Sequence, residues 1–157
     1  MPSNTLYRVL CVDDDEDACE MLSFLLKSHG IDAACARSAA EARLKITAEY
    51  FDLYLLDAWL PNIDGFELCR QIRESDSRTP ILFYSGAAYD SDKQKAFAAG
   101  ATAYVIKPAV EGLVETIPDL IAKARADEVA APWATSLDRL AEKARSAQFF
   151  SVATGSD

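Results

Sequence analysis

The chain of 157 residues carries 16 Lys and Arg against 25 Asp and Glu, a net charge of −9. Half its residues are apolar and 26% are charged, the balance of a globule with a buried core, and the length suits one domain plus an appendage. The acidic excess excludes a general nucleic-acid or anionic-membrane binder, which needs a basic face. In chain order, Tyr7 to Val12 reads as a strand that ends abruptly in Asp13-Asp14-Asp15. Ala18, Met21, Leu22, Leu25 and Leu26 then recur at helical spacing until His29-Gly30 supplies a stop. Ile31 to Cys35 is a weaker strand. Ser38 followed by Glu41 starts a helix carrying Ala42, Leu44 and Ile46.

Leu53 to Leu56 is a continuous apolar run, the pattern of a strand buried on both faces, and it ends in Asp57. Pro61 and Gly65 break the chain, and Asp64 with Glu67 caps a helix containing Phe66, Cys69, Ile72 and Arg73. Pro80 opens a fourth strand, Ile81 to Tyr84, which stops at Ser85-Gly86. A helix from about Asp90 to Ala99 ends at Gly100. The fifth strand, Thr102 to Ile106, runs into Lys107-Pro108. Val110, Leu113, Val114, Ile117, Leu120, Ile121 and Ala124 then share one helical face. Pro118 lies within that stretch, so the helix either bends there or begins its regular part there. Strand and helix alternating in this way predict an α/β fold, a parallel sheet with helices on both faces.

Residues 126–157 differ. After Ala130-Ala131-Pro132, a thin apolar stripe of Trp133, Leu137, Leu140, Ala144 and Ala147 predicts one more amphipathic helix, followed by Phe149-Phe150 and a polar tail. The expected division is therefore a domain over 1–125 and a C-terminal helical extension over 126–157. Docking of that extension on the domain is its simplest use, with dimer formation or partner binding as alternatives. No apolar run approaches the roughly 18 residues of a membrane span, and the N-terminus carries no export pattern. Cys11, Cys19, Cys35 and Cys69 are too few and too spread for a disulfide scaffold and read as core fillers. The expected setting is the cytoplasm.

Open parallel sheets collect functional groups at the C-terminal ends of their strands. Those ends here deliver Asp13 and Asp14, Asp57, Ser85 and Lys107. If the first and third strands are neighbours, three carboxylates converge and repel one another. A hard divalent cation resolves this, and oxygen-only donors favour Mg2+, with Mn2+ as the alternative. Lys107 and Ser85 add a cation and a hydroxyl beside Asp57, a set suited to a phosphoryl group. Asp57, alone at the end of a buried strand, is the candidate nucleophile for an acyl phosphate. Asp15, Glu16 and Asp17 read as acids favouring a helix N-terminus, and His29, the sole histidine, as a helix C-terminal residue.

Five segments in order resemble the response-regulator receiver domains of two-component signalling, over roughly residues 6–125. They are Val9 to Asp14, Asp52 to Asp57, Leu60 to Gly65, Pro80 to Gly86, and Ala99-Gly100-Ala101 through Tyr104 to Pro108. The resemblance implies a doubly wound, flavodoxin-like five-stranded sheet of order 2-1-3-4-5 flanked by five helices. It implies that Asp57 accepts phosphate from a histidine kinase or histidine phosphotransfer protein, and that Asp13, Asp14, Asp57 and the backbone carbonyl of Trp59 hold Mg2+. Ser85 and Lys107 would contact the phosphoryl oxygens, Tyr104 would turn inward as Ser85 moves, and Lys107-Pro108 would be cis.

Trp59 and Ala87 match positions flanking the path of the hydrolytic water, and an indole opposite a methyl offers that water no polar group, so a long-lived phosphoryl group is expected. The output is a phosphorylation-dependent contact with a downstream protein. The chain would catalyse only its own phosphorylation and dephosphorylation and is otherwise no enzyme. The tail from Asp127 to Asp157 holds five acids against three bases, so no DNA partner and no membrane partner is expected, while a homodimer stays open. Ala109, Gly112 and Pro118 depart from the family pattern on its usual output face. One rival reading is a haloacid-dehalogenase-like phosphatase, for which Asp13-x-Asp15 with a distant lysine and Ser85 fits in outline. It lacks the Thr or Val expected where Asp17 stands and the later acidic pair. Another is a phosphorelay shuttle or phosphate sink with no output of its own.

Overall fold

The computed structural model describes residues 7–130 and, apart from them, Ala144. The apolar runs become strands and the stretches between them helices: β1 (Tyr7–Val12), α1 (Glu16–Ser28), β2 (Ile31–Ala36), α2 (Ala39–Ala48), β3 (Leu53–Leu56), α3 (Gly65–Ser75), β4 (Ile81–Ser85), α4 (Asp90–Ala99), β5 (Ala103–Ile106) and α5 (Val110–Ala130). All strand pairs are parallel, in the order β2-β1-β3-β4-β5. This is the doubly wound, flavodoxin-like architecture expected from the sequence, with strand bounds within a residue of those read from the apolar pattern.

The pleat divides the core in two, because successive strand residues point to opposite faces. Leu10, Val12, Leu56 and Phe83 pack against α2, α3 and α4 through Ala42, Phe66, Ile72 and Ala96. Val9, Cys11, Leu55 and Leu82 pack against α1 and α5 through Leu22, Leu26, Leu113, Ile117 and Ile121. Each such fully buried aliphatic or aromatic side chain stabilises the fold by about 1.5–3 kcal/mol relative to exposure. β3, buried at every position, lies at the centre of the sheet, as its unbroken apolar run requires.

Helix starts follow local chemistry. Asp15 caps α1 by accepting from the N–H groups of Asp17 and Ala18, at 3.0 and 3.3 Å. Ser38 Oγ accepts from Glu41 N–H, while the Glu41 carboxylate reaches back to Arg37 N–H. Asp64 caps α3 through Glu67 N–H at 2.8 Å. His29 ends α1, and Gly100 ends α4 at φ 113°, a left-handed conformation that glycine adopts without strain.

α5 resolves the two readings of Pro118. The helix begins at Val110 and continues through Pro118 to Ala130, so its regular part does not start at the proline. It also runs across the 125/126 position at which the extension was expected to begin. Of the predicted stripe, Trp133, Leu137, Leu140 and Ala147, together with Phe149-Phe150, lie outside the described residues. Among the described residues, no helix is long and apolar enough to cross a membrane.

Candidate functional site

Strand register gathers the acids. Val12 lies opposite Leu56, so Asp13 and Asp57 leave adjacent strands side by side, and Asp57 N–H donates to the Val12 carbonyl at 2.9 Å. Ser85 lies opposite Ile106, and the next residue, Lys107, donates its N–H to the Ser85 carbonyl at 3.0 Å. Four residues distant in sequence thus meet at the C-terminal edge of the sheet. Asp13 is buried, Ser85 is fully buried, and Asp14 is exposed.

The side chains are tightly cross-connected. Ser85 Oγ donates to Asp57 Oδ1 at 2.8 Å, and Trp59 N–H reaches the same oxygen at 3.4 Å. Lys107 Nζ donates to Asp57 Oδ2 at 3.3 Å and to Asp13 Oδ2 at 2.7 Å. Asp13 Oδ1 accepts from Asp15 N–H at 3.0 Å. Burial alone would lower the Lys107 pKa, but the hydrogen bond it donates to Asp13 and the nearby charge of Asp57 outweigh it, so the pKa is raised and the ammonium stays charged.

Asp13, Asp14 and Asp57 each offer a carboxylate oxygen within 4.8 Å of the others. Three carboxylates facing one ammonium leave negative charge uncompensated, and the donors are oxygens only. That set fits a hard divalent cation such as Mg2+, and neither Cys nor His contributes to it.

The remaining sequence-indicated residues surround this cluster. Tyr104 points inward: its hydroxyl donates to the Ala87 carbonyl at 2.6 Å and its ring stacks on Phe83. Burial raises its pKa against a partly offsetting hydrogen bond with Ser85. Trp59, 56% exposed, leans edge-on against Phe66 and shares a surface hollow with Gly86, Ala87, Ala88, Tyr89 and Asp92. The Lys107–Pro108 peptide is cis. Asp15 is not part of the acid cluster, because its carboxylate is spent on the α1 cap, and Glu16 pairs with Arg37 at 3.5 Å. The phosphatase outline needed Asp15 at the reaction centre, and it is held elsewhere.

One positioning residue escaped the sequence reading. Gly65, read as a chain break and as the end of the family-like segment Leu60 to Gly65 but given no role, donates its N–H to the Ala58 carbonyl at 2.8 Å. A Cβ there would lie 2.0 Å from the Asp57 carbonyl oxygen. The start of α3 therefore presses directly on the Asp57 backbone. The available signals were a glycine next to the capping aspartate and its place at the end of the family-like segment Leu60 to Gly65.

Comparison with known proteins gives concordant results. A family model described as response regulator receiver domain matches residues 9–118. The chain is 36% identical over 101 residues to the alkaline phosphatase synthesis transcriptional regulatory protein PhoP of Bacillus subtilis (strain 168), covering 64% of this chain and 42% of that protein. It is 33% identical over 134 residues to the response regulator MprA of Mycobacterium leprae (strain TN), covering 85% of this chain and 59% of that one. It thus spans about half the length of these relatives. Among solved structures, a CheY-like response regulator receiver domain protein from Methanospirillum hungatei JF-1 superposes with a TM-score of 0.73 at 29% identity, covering 78% of this chain and 98% of that one.

Proposed function

The chain belongs to the response-regulator receiver family, and from that premise and the site geometry we propose that it takes a phosphoryl group onto Asp57 from a phosphohistidine on a partner kinase or phosphotransfer protein. The observation that carries this reading is the Asp57 carboxylate gripped on one oxygen by Ser85 and on the other by Lys107, beside Asp13 and Asp14. In the transfer an Asp57 oxygen forms a bond to phosphorus as the histidine N–P bond breaks and the imidazole departs. Ser85 and Lys107 hold the carboxylate in place and can follow the phosphoryl oxygens as charge accumulates there. Asp13, Asp14 and Asp57, with the Trp59 backbone carbonyl as a further ligand, would hold Mg2+ (or Mn2+), which supplies charge neutralisation at the transferring group.

Tyr104, already directed inward against Ala87, is the element that can report the state of Ser85 to the surface. The output is then a change in which downstream protein the domain binds. Trp59 and Ala87 line the approach to the site, and their apolar surfaces favour a long-lived phosphoryl group. The test is exposure to acetyl phosphate with Mg2+, followed by intact mass measurement. The wild type should gain about 80 Da, one phosphoryl group, and Asp57→Asn should gain nothing. Steady turnover of phosphomonoesters with no retained adduct would overturn the reading.

A further inference from the structure

The loops that follow β3 and β4 border a hollow of about 680 Å³ lined by Trp59, Gly86, Ala87, Ala88, Tyr89 and Asp92. Two large rings there stand open to solvent: Trp59 is 56% exposed and Tyr89 79%. The one charged group among the lining residues is Asp92, which is 7% exposed. We propose that this hollow docks an arginine side chain of a partner protein, its guanidinium stacked against the Trp59 and Tyr89 rings and paired with the Asp92 carboxylate. Such docking needs no phosphate on Asp57.

The walls of the hollow are held in place by the core behind them. Trp59 meets Phe66 at 89° with ring centroids 6.1 Å apart, and Phe66, Phe83 and Tyr104 continue as a stack. The Tyr104 hydroxyl donates to the Ala87 carbonyl at 2.6 Å, so one row of rings braces both loops. Tyr89 leads into α4, and its N–H donates to Asp92 Oδ2 at 3.2 Å. That bond uses one carboxylate oxygen. Among the described residues, Asp92 Oδ1 takes no hydrogen bond and no Lys or Arg lines the hollow.

Exposed rings beside a carboxylate attract a cation, through the ring quadrupole and through charge. A phosphate or an acidic peptide is repelled by Asp92 and by the chain's net charge of −9. A purely apolar occupant strips water from the carboxylate and gives it no partner in return. Of the two long basic side chains, arginine suits the hollow better. Its planar guanidinium is more weakly hydrated than an ammonium, stacks on an aromatic face, and still donates to a carboxylate oxygen. The occupant reaches in from a larger body, because rings this exposed do not enclose a free small molecule, whose pocket would bury most of its surface.

The test uses the full chain without phosphodonor and N-acetylarginine methylamide as the probe, followed by proton–nitrogen correlation NMR at fixed ionic strength. The citrulline counterpart, a neutral isostere, and the lysine counterpart are the controls. Trp59→Phe distinguishes the Trp59 indole signal from that of Trp133. The arginine probe should shift that indole and the amides of Ala88 and Tyr89 saturably, and its own methylene protons should move upfield as they meet the rings. The citrulline probe should bind about tenfold more weakly, and the lysine probe about twofold to fivefold. Tyr89→Leu, at an exposed side chain, should weaken arginine binding about twofold to fivefold. Asp92→Asn, which still accepts from Tyr89 N–H, should weaken it about tenfold. Equal shifts with citrulline, shifts spread over the acidic surface, or no saturable shift at Trp59 would overturn the proposal. So would a Trp59 signal that moves in Arg139→Gln or Arg145→Gln, or on dilution, since the chain's own tail or a second copy would then fill the hollow.

Discussion

Gly65 does its work by absence. With the Asp57 carbonyl oxygen 2.0 Å from where a Cβ would sit, Gly65→Ala must displace either the α3 start or the Asp57 backbone. We expect a loss of about 1–3 kcal/mol in urea unfolding, together with slower adduct formation at Asp57. Trp59 N–H also reaches the Asp57 carboxylate, at 3.4 Å, and its ring shares a hollow with Ala87. Replacing Trp59 with Asn puts a hydrogen-bonding group beside Ala87, and adduct decay should quicken roughly threefold to tenfold, on the order of 1 kcal/mol in barrier. Mass spectrometry of the decaying adduct reads this directly.

Tyr54 titrates far from the site. Burial first, and then the Asp76 charge, push its phenol above the ordinary 10.0, and its hydroxyl donates to Asp76 at 3.3 Å. A raised pKa means that the folded chain keeps a proton which the unfolded chain releases. The contribution is thus intact below pH 10 and is lost as pH rises beyond it. Tyr54→Phe should flatten the fall of stability between pH 10 and 11 by about 1 kcal/mol per unit, measured by chemical denaturation.

Among the elements, α3 carries an unusual tie. The Arg73 guanidinium donates to the carbonyls of Gly100 at 2.8 Å, Thr79 at 2.8 Å and Asp76 at 3.0 Å, locking the end of α3 to the loops before β4 and β5. Its pKa is lowered chiefly by burial, so these bonds operate in a poorly solvated setting. Arg73→Met strands three carbonyls and should cost roughly 2–4 kcal/mol in equilibrium unfolding, with Arg73→Lys recovering only part because it lacks the planar fork.

The elements also show what the residues could disclose on their own. Four of the five strands were legible because their apolar runs stop at a chemically distinct residue, and parallel topology then brings those stops together. Asp13, Asp14, Asp57, Ser85 and Lys107 were readable for that reason. Which oxygen each donor takes was not, since Lys107 and Asp13 are 94 positions apart and their 2.7 Å contact depends on the whole sheet. Arg73 looked like one polar residue on an amphipathic helix, and its three carbonyls belong to loops with no pattern. Pro118 signalled an interruption, yet Leu113, Ile117 and Ile121 bury fully on both sides of it and keep α5 continuous. Packing outweighed a local preference there.

At the scale of the molecule, a net charge of −9 and a concentrated trio of acids lead us to expect that divalent cations stabilise the fold. Mg2+ that binds only the folded chain stabilises it by about 2.7 kcal/mol at a hundred times its Kd. The melting temperature should therefore rise with Mg2+ and return on adding a chelator. Asp14→Asn, an exposed change that should fold normally, should weaken that rise. Equal shifts in both proteins would mean that the cation acts elsewhere.

The meeting of four strand ends at one edge has a further consequence. Neither half of the chain owns the acid cluster and its partners: a fragment ending before β4 would lack Ser85 and Lys107, and one beginning at α1 would lack Asp13 and Asp14. On the proposed function, competence for phosphate uptake would be an attribute of the completed sheet, and covalent labelling of Asp57 would serve as a census of fully assembled molecules in any partly unfolded population.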